Sequence, residues 1–311
     1  MAEAGMGSIQ ILMGVCEGAD HLPAQLHSLA AQSHGQWRLL ASDDSAGGES
    51  RVVLEAFAGD VAQEVSVISG PRSGFAANYL HLIGQSGPGP LAFADQDDVW
   101  TADKLARAVA ALTPLPADVP ALYCARVRPW DGSEDHTQRS MPPLARPPGF
   151  ANALIENVAT GNTIVLNAAA AALARRMARR IDALFAHDWW LYQLVSGVGG
   201  HVLHDDGPPV VLYRQHAGNA IGAGRGALAQ LARKRAVLGG AFARRLNLNA
   251  GALRHMRDDL TPENSALFDA FEEARAQRGL SRVRAFARLG LYRQRPLGTA
   301  GFFGAAALGL V

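Results

Sequence analysis

The segment "PLAFADQDDVWTADKL" (residues 90–105) sets three carboxylates, Asp95, Asp97 and Asp98, into four positions directly behind a short apolar run. Four or five apolar residues bounded by turn signals predict a buried strand, and "TADKLARAVAAL" after it places Leu105, Val109 and Leu112 on one helical face. The acids therefore fall at the carboxyl end of a strand, in the crossover to a helix. Like charges this close repel, and any that are buried must be paired or neutralised. Two readings follow. Asp98 caps the coming helix while the others are solvated, or the group is half of a site for a hard divalent cation. Trp100 packs in either case.

The same strand–loop–helix unit recurs upstream. "SIQILMGVC" (8–16) leads into "EGAD", and a helical stretch from about Asp20 carries Leu22, Leu26 and Leu29. "WRLLASDDSAGG" is a second strand running into an acidic, glycine-rich loop, and "VSVISGPRSG" is a third followed by a helix near 75–85. Alternation at this spacing predicts βαβ units in an α/β doubly wound sheet. Ligands of such sheets bind beyond the carboxyl ends of the strands, where Asp43, Asp44, Arg72, Asp95 and Asp97 would all lie. Taken alone each is ambiguous. Asp43 and Asp44 could accept from a base or ribose or form an Asx-turn, and Arg72 could meet a phosphate or be a surface charge.

Farther along, residues 128–150 are polar and proline-rich and predict a long surface loop. "GNTIVLN" (161–167), an Ala/Arg helix over 168–180, "HDWWLYQLV" (187–195) and "PPVVLYRQHAGN" (208–219) follow. Asp188 beside Trp189, Trp190 and Tyr192 has the apolar wall that raises a carboxyl pKa toward that of a general base. It could equally open a helix with aromatic core residues behind it. His216 could be a ligand through its neutral imidazole or a structural histidine.

Size and composition bound the function. The 311 residues, 49% hydrophobic and 18% charged, suit one large domain or a core with an appendage. Cys16 and Cys124 make neither a metal quartet nor a disulfide framework, and no signal peptide is expected, which indicates a cytoplasmic setting. The net charge of +1 conceals segregation: residues 1–225 carry 15 Lys/Arg against 22 Asp/Glu, and residues 226–311 carry 14 against 6. The basic part lacks the interleaved aromatics of a nucleic-acid surface. From Ala274 onward seven Arg and no acid alternate with Phe286, Leu289, Leu291, Tyr292, Phe302 and Phe303. Too short to span a bilayer, this tail predicts either an amphipathic segment on anionic lipid or a helical appendage packed on the core.

In their order, strand–"SDDS", strand–"GPRSGFAANY", strand–"FADQDDVWTADKL", "TGNTIVLN", "HDWW" and "YRQHAGN" resemble the family 2 inverting glycosyltransferases of the GT-A fold, above all the rhamnosyltransferase-like members of bacterial polysaccharide assembly. The resemblance covers about residues 8–222. It implies a Rossmann-like doubly wound mixed sheet over 1–225 and a C-terminal helical, basic region over 226–311. It also implies a metal-dependent inverting transfer of a sugar, rhamnose among the candidates, from a dTDP- or UDP-linked donor to a glycan or lipid-linked acceptor. Asp43, Asp44 and Arg72 would then attend the base, Asp95 the ribose or metal, and Asp97 would be the main ligand of Mg²⁺ or Mn²⁺. His216 would approach the metal or diphosphate, and Asp188 would be the base. A peripheral position at the inner face of the bacterial inner membrane goes with this. The loop "CEGAD" departs from the pattern by adding Glu17. Two other classes compete, a catalytically inactive nucleotide-sugar-binding scaffold and a sugar nucleotidyltransferase. The second would carry a Gly-rich, Lys/Arg-bearing loop near the N-terminus, which "MGVCEGAD" lacks.

Overall fold

The computed structural model describes residues 6–132, 140–215 and 240–311. Four parallel strands form the first half: β1 (Ile9–Val15), β2 (Trp37–Asp43), β3 (Val65–Ser69) and β4 (Leu91–Asp95). Helices α1 (Leu22–Ala30), α2 (Glu49–Asp60) and α3 (Phe75–Gln85) join them. A short β5 (Val99–Trp100) and α4 (Lys104–Leu112) follow. Then come β6 (Ala121–Ala125), β7 (Val127–Trp130), α5 (Phe150–Ala153), β8 (Val165–Leu166), α6 (Ala168–Ala178), α7 (His187–Gly197), β9 (His201–Asp205) and β10 (Val211–Arg214). The tail is helical: α8 (Ala241–Arg254), α9 (Pro262–Ala276), α10 (Gly279–Arg288) and α11 (Pro296–Ala307).

The main sheet has the order β3-β2-β1-β4-β8-β6-β9. β8 runs antiparallel to both neighbours, β4 and β6, so the sheet is mixed, as the GT-A resemblance implies. Strand side chains alternate between its faces. Leu12, Leu91 and Phe93 join the core beneath α3, α6 and α7, while Ile11, Met13, Ala92 and Ala94 join the one beneath α1 and α4. The chain order reverses between β1 and β4, and that reversal opens a crevice at their carboxyl ends. There Gly14 of β1 pairs with Asp95 of β4, and Val15 pairs with Asp43 of β2. Asp43 and Asp95 thus flank the end of β1 at about 10 Å, two strand spacings.

A second sheet of order β5-β10-β7 stands beside the crevice. It corrects the reading of 128–150 as a loop, because residues 127–130 are a strand. Pro129 is accommodated there since β7 lies at a sheet edge. β10 pairs antiparallel with β5, so the segment after "DQDD" and the one containing "YR" lie side by side.

The tail helices are built on conventional signals. Thr261 caps α9 by accepting from the Asn264 N–H, with Pro262 at its first turn. Phe268, Phe271, Phe286, Leu291 and Phe302 are buried in the core that α6 and α7 share. Tyr292 and Gln294 are clasped by residues 146–156: the Tyr292 hydroxyl donates to Pro147 O (2.6 Å), and the Gln294 N–H to Glu156 Oε2 (2.6 Å). Of the two readings of the tail, packing on the core claims these aromatics.

Candidate active site

The crevice between β1 and β4 is assembled from loops that hold one another. Gln96 reaches back to β1, its Oε1 accepting from the Cys16 N–H (2.7 Å) and its Nε2 donating to Cys16 O (2.9 Å). A Cβ at Gly18 would lie 2.2 Å from Gln96 Oε1, so a side chain there would have to displace the Gln96 amide from Cys16. Glu17, at φ +48°, turns its carboxylate onto the Ala46 N–H (2.7 Å), so the departure in "CEGAD" ties the first loop to the second. Asp43 Oδ1 accepts from the Ser45 N–H (3.0 Å), the Asx-turn alternative. Asp44 Oδ1 accepts from the N–H of Arg72, which sits at φ +54° and sends its guanidinium to Ser45 O (3.2 Å). Asp43, Asp44 and Arg72 therefore form one connected rim over the ends of β2 and β3.

The three acids of "DQDD" separate into different environments. The Tyr79 hydroxyl is 2.7 Å from Asp95 Oδ1 and 2.7 Å from Ala94 O, within donating distance of both. Burial pushes the Asp95 carboxyl up to about 6, the Tyr79 hydrogen bond pulls it down, and Asp97 raises it again. Asp98 is fully buried and is not a helix cap. Its Oδ2 accepts from Asn162 Nδ2 and its Oδ1 from the Arg214 N–H (3.0 Å). Arg214 also donates through Nε to Asp97 O (2.7 Å). Beneath them lies Lys104, equally buried, 2.8 Å from the Trp100 ring centroid. Burial drives the Asp98 carboxyl up and the Lys104 ammonium down, each toward its neutral form. Trp100 is buried, as expected of a packing residue.

Asp188 stands in the first turn of α7, its Oδ1 accepting from the Trp189 N–H (2.6 Å). Burial raises its carboxyl to about 6, and the Asp95 charge contributes in the same direction. Trp190 and Tyr192 are buried behind it, so the helix-opening and apolar-wall readings describe the same residue. The preceding His187 stacks on Tyr79 at 3.7 Å between centroids and on Phe93 at 5.3 Å. Burial lowers its pKa to about 3 and keeps it neutral. Gly161 closes the wall: a Cβ there would meet His187 Nε2 at 3.0 Å and the Asp188 Cβ at 3.3 Å.

The structure thus gathers Asp43, Asp44, Arg72, Asp95, Asp97 and Asp188 around one crevice. His216 lies outside the described residues, one position beyond Gln215 at the end of β10. Sequence reasoning gave no role to Tyr79, Gln96, Lys104, Asn162 or Arg214, although all five lie in the quoted motifs. Among the described residues no three His, Cys, Asp or Glu side chains converge as a metal cluster. The donor set fits a cation that keeps most of its shell for other oxygens. Asp98 has both oxygens occupied by protein donors, and one or two carboxylates plus phosphates suffice for Mg²⁺.

A family model for glycosyl transferase family 2 matches residues 11–181, a span that runs from β1 past α6. No curated protein matches the sequence. Among solved structures, TarS of S. aureus, residues 1–349 in complex with UDP-GlcNAc, aligns over 97% of this chain and 89% of its own at 14% identity and TM-score 0.53. The same TarS fragment without that ligand aligns over 97% and 88% at 12% identity and TM-score 0.52. The chain belongs to glycosyl transferase family 2.

Proposed function

We propose that this family 2 glycosyltransferase moves a sugar from a nucleotide diphosphate donor to a hydroxyl of a glycan or lipid-linked acceptor by a single inverting displacement. The observation that carries the reading is that Asp188 lies close enough to Asp95, at the carboxyl end of β4, for the Asp95 charge to raise its pKa, with Tyr79 bonded to Asp95 and stacked on His187. The ligand of the TarS neighbour, UDP-GlcNAc, is a donor of this class.

Asp43, Asp44 and Arg72 bind the base and ribose in this reading, from the rim over β2 and β3. Asp95 and Asp97 would hold Mg²⁺ or Mn²⁺, which offsets the charge developing on the leaving diphosphate. Asp188 accepts the acceptor's hydroxyl proton. A carboxyl with a pKa of about 6 is ionised at pH 7 yet more basic than a solvated one, which suits a general base. Its fixed place on α7 aligns the acceptor oxygen for in-line attack. Tyr79 and His187 form the wall between the two groups. Rhamnose, from dTDP-rhamnose, is the donor sugar we assign first, on the similarity of "DQDDVW…DKL", "HDWW" and "YRQH" to the rhamnosyltransferase-like members.

The test is a thermal-shift panel of dTDP- and UDP-sugars with and without Mn²⁺, followed by transfer assays with the stabilising donor. A ligand at 100 times its Kd stabilises by about 2.7 kcal/mol, well within reach of the method. The reading predicts a metal-enhanced shift with one nucleotide series and turnover with that donor. No shift with any nucleotide, in either metal condition, would overturn it.

A further inference from the structure

The tail aromatics are packed inside the protein, and what remains outside is a different surface. α11 is apolar on every side. Phe302 and Ala306 face the core, while Leu297, Ala300, Gly301, Gly304, Ala307 and Leu308 recur at helical spacing on the exposed side. Leu297 is 86% exposed and Leu308 73%. The two ends of this stripe are about 16 Å apart at 1.5 Å per residue. A helix apolar all round is ordinarily buried, and among the described residues this one is covered on one side only.

The charge of the segment is equally unbalanced. The acids Asp259, Asp269 and Glu272 are engaged by Arg176, Arg257 and Arg254, and Arg293 is engaged by Glu156. No acidic residue follows Glu273 in the sequence. Arg278, Arg284 and Arg288 are exposed on and before α10, with Leu280, 71% exposed, on the same side of that helix as Arg284 and Arg288. Arg295, also exposed, precedes the first turn of α11.

We propose that the outward faces of α10 and α11 dock on an anionic lipid bilayer, with Leu297 and Leu308 entering the headgroup boundary and the arginines meeting acidic headgroups. This goes beyond the transfer reaction and does not depend on it. Charge decides between occupants. A second copy would set arginine against arginine with no acid in the segment to answer it, whereas an anionic surface attracts each cation. Among the described residues no helix is long and apolar enough to cross a membrane, so the contact is with the surface.

Co-sedimentation of the full chain with vesicles tests this. Mixed phosphatidylglycerol–phosphatidylcholine vesicles should pull the protein down, and pure phosphatidylcholine should do so far less. Each arginine near an anionic surface is worth about 1 kcal/mol, or about fivefold, so R284Q/R288Q should weaken binding roughly 25-fold. L297E/L308E should abolish it. Both double variants change exposed side chains, and an unchanged thermal midpoint verifies their folding. Failure of the wild type to bind anionic vesicles would overturn the proposal, as would undiminished binding by folded L297E/L308E. A dimer in light scattering that L297E/L308E dissociates would assign the face to a second copy instead.

Discussion

Replacing Asp188 by Asn should make the protein more stable and inactive at once. Burial raises the Asp188 carboxyl from 3.8 to about 6. Two units at 1.36 kcal/mol each come to about 3 kcal/mol, which partial exposure reduces to about 2 kcal/mol. The sign follows from linkage. The folded state holds the proton more tightly than the unfolded chain does, so this group's contribution is most favourable below pH 4 and is lost as pH rises through 6. Above pH 6 the native protein carries an ionised carboxylate at a cost, and a neutral amide of the same shape removes that cost while still accepting from the Trp189 N–H. D188N should therefore melt about 4 °C above wild type at pH 7.5. The gain should shrink between pH 6 and pH 4. Transfer should fall at least about 100-fold, the usual worth of a general base. Scanning fluorimetry of the free enzyme at several pH values, beside a turnover assay, measures both. A D188N midpoint at or below wild type at pH 7.5, or retained turnover, would refute the reasoning.

Three further perturbations address the framework. Asp98→Ala leaves the Asn162 amide and the Arg214 N–H without their buried acceptor and should cost about 2–4 kcal/mol, read as a lower urea midpoint with unchanged slope. Gly161→Ala crowds the His187 ring and Asp188. It should lower kcat roughly tenfold while leaving donor KM unchanged, since displacements well under 1 Å at a reacting centre carry costs of this order. Tyr79→Phe removes the hydrogen bond that holds down the Asp95 pKa, so the acidic limb of donor binding should move to higher pH in a KM–pH profile.

Much of the fold was legible because a strand buried on both faces and a crossover helix leave distinct patterns. β1 to β4, α3 and α6 fall where the apolar runs and spacings predict them. The missed elements share physical reasons. β6, "ALYCA", is buried throughout and sits behind a Pro-rich stretch, so no alternation marks it. β9, "HVLHD", is an edge strand of mixed polarity. α2 buries only Ser50 and Leu54, too little to write an apolar stripe. In the tail, arginines between aromatics describe a lipid-facing helix and a core-facing one equally well, and tertiary packing alone put Phe286 and Phe302 inside.

The crevice residues divide in the same manner. Asp43, Asp44, Asp95, Asp97 and Asp188 could be nominated because an acid at a strand end, or against tryptophans, advertises its chemistry. Asp98 shares that composition, and its burial depends on Asn162, 64 residues away, and on Arg214, 116 residues away. No local pattern encodes those pairings. Only the fixed order of the motifs along the chain hinted at them.

The central claim is a division of labour, with Asp97 serving the donor and Asp188 the chemistry. It is tested most directly by a single-turnover experiment with labelled nucleotide sugar and saturating acceptor, in which bound donor and transferred sugar are counted in the same sample. The account predicts that D188N retains donor at wild-type occupancy and transfers none, while D97A fails to retain it. Transfer by D188N, or donor retention by D97A equal to wild type, would contradict it.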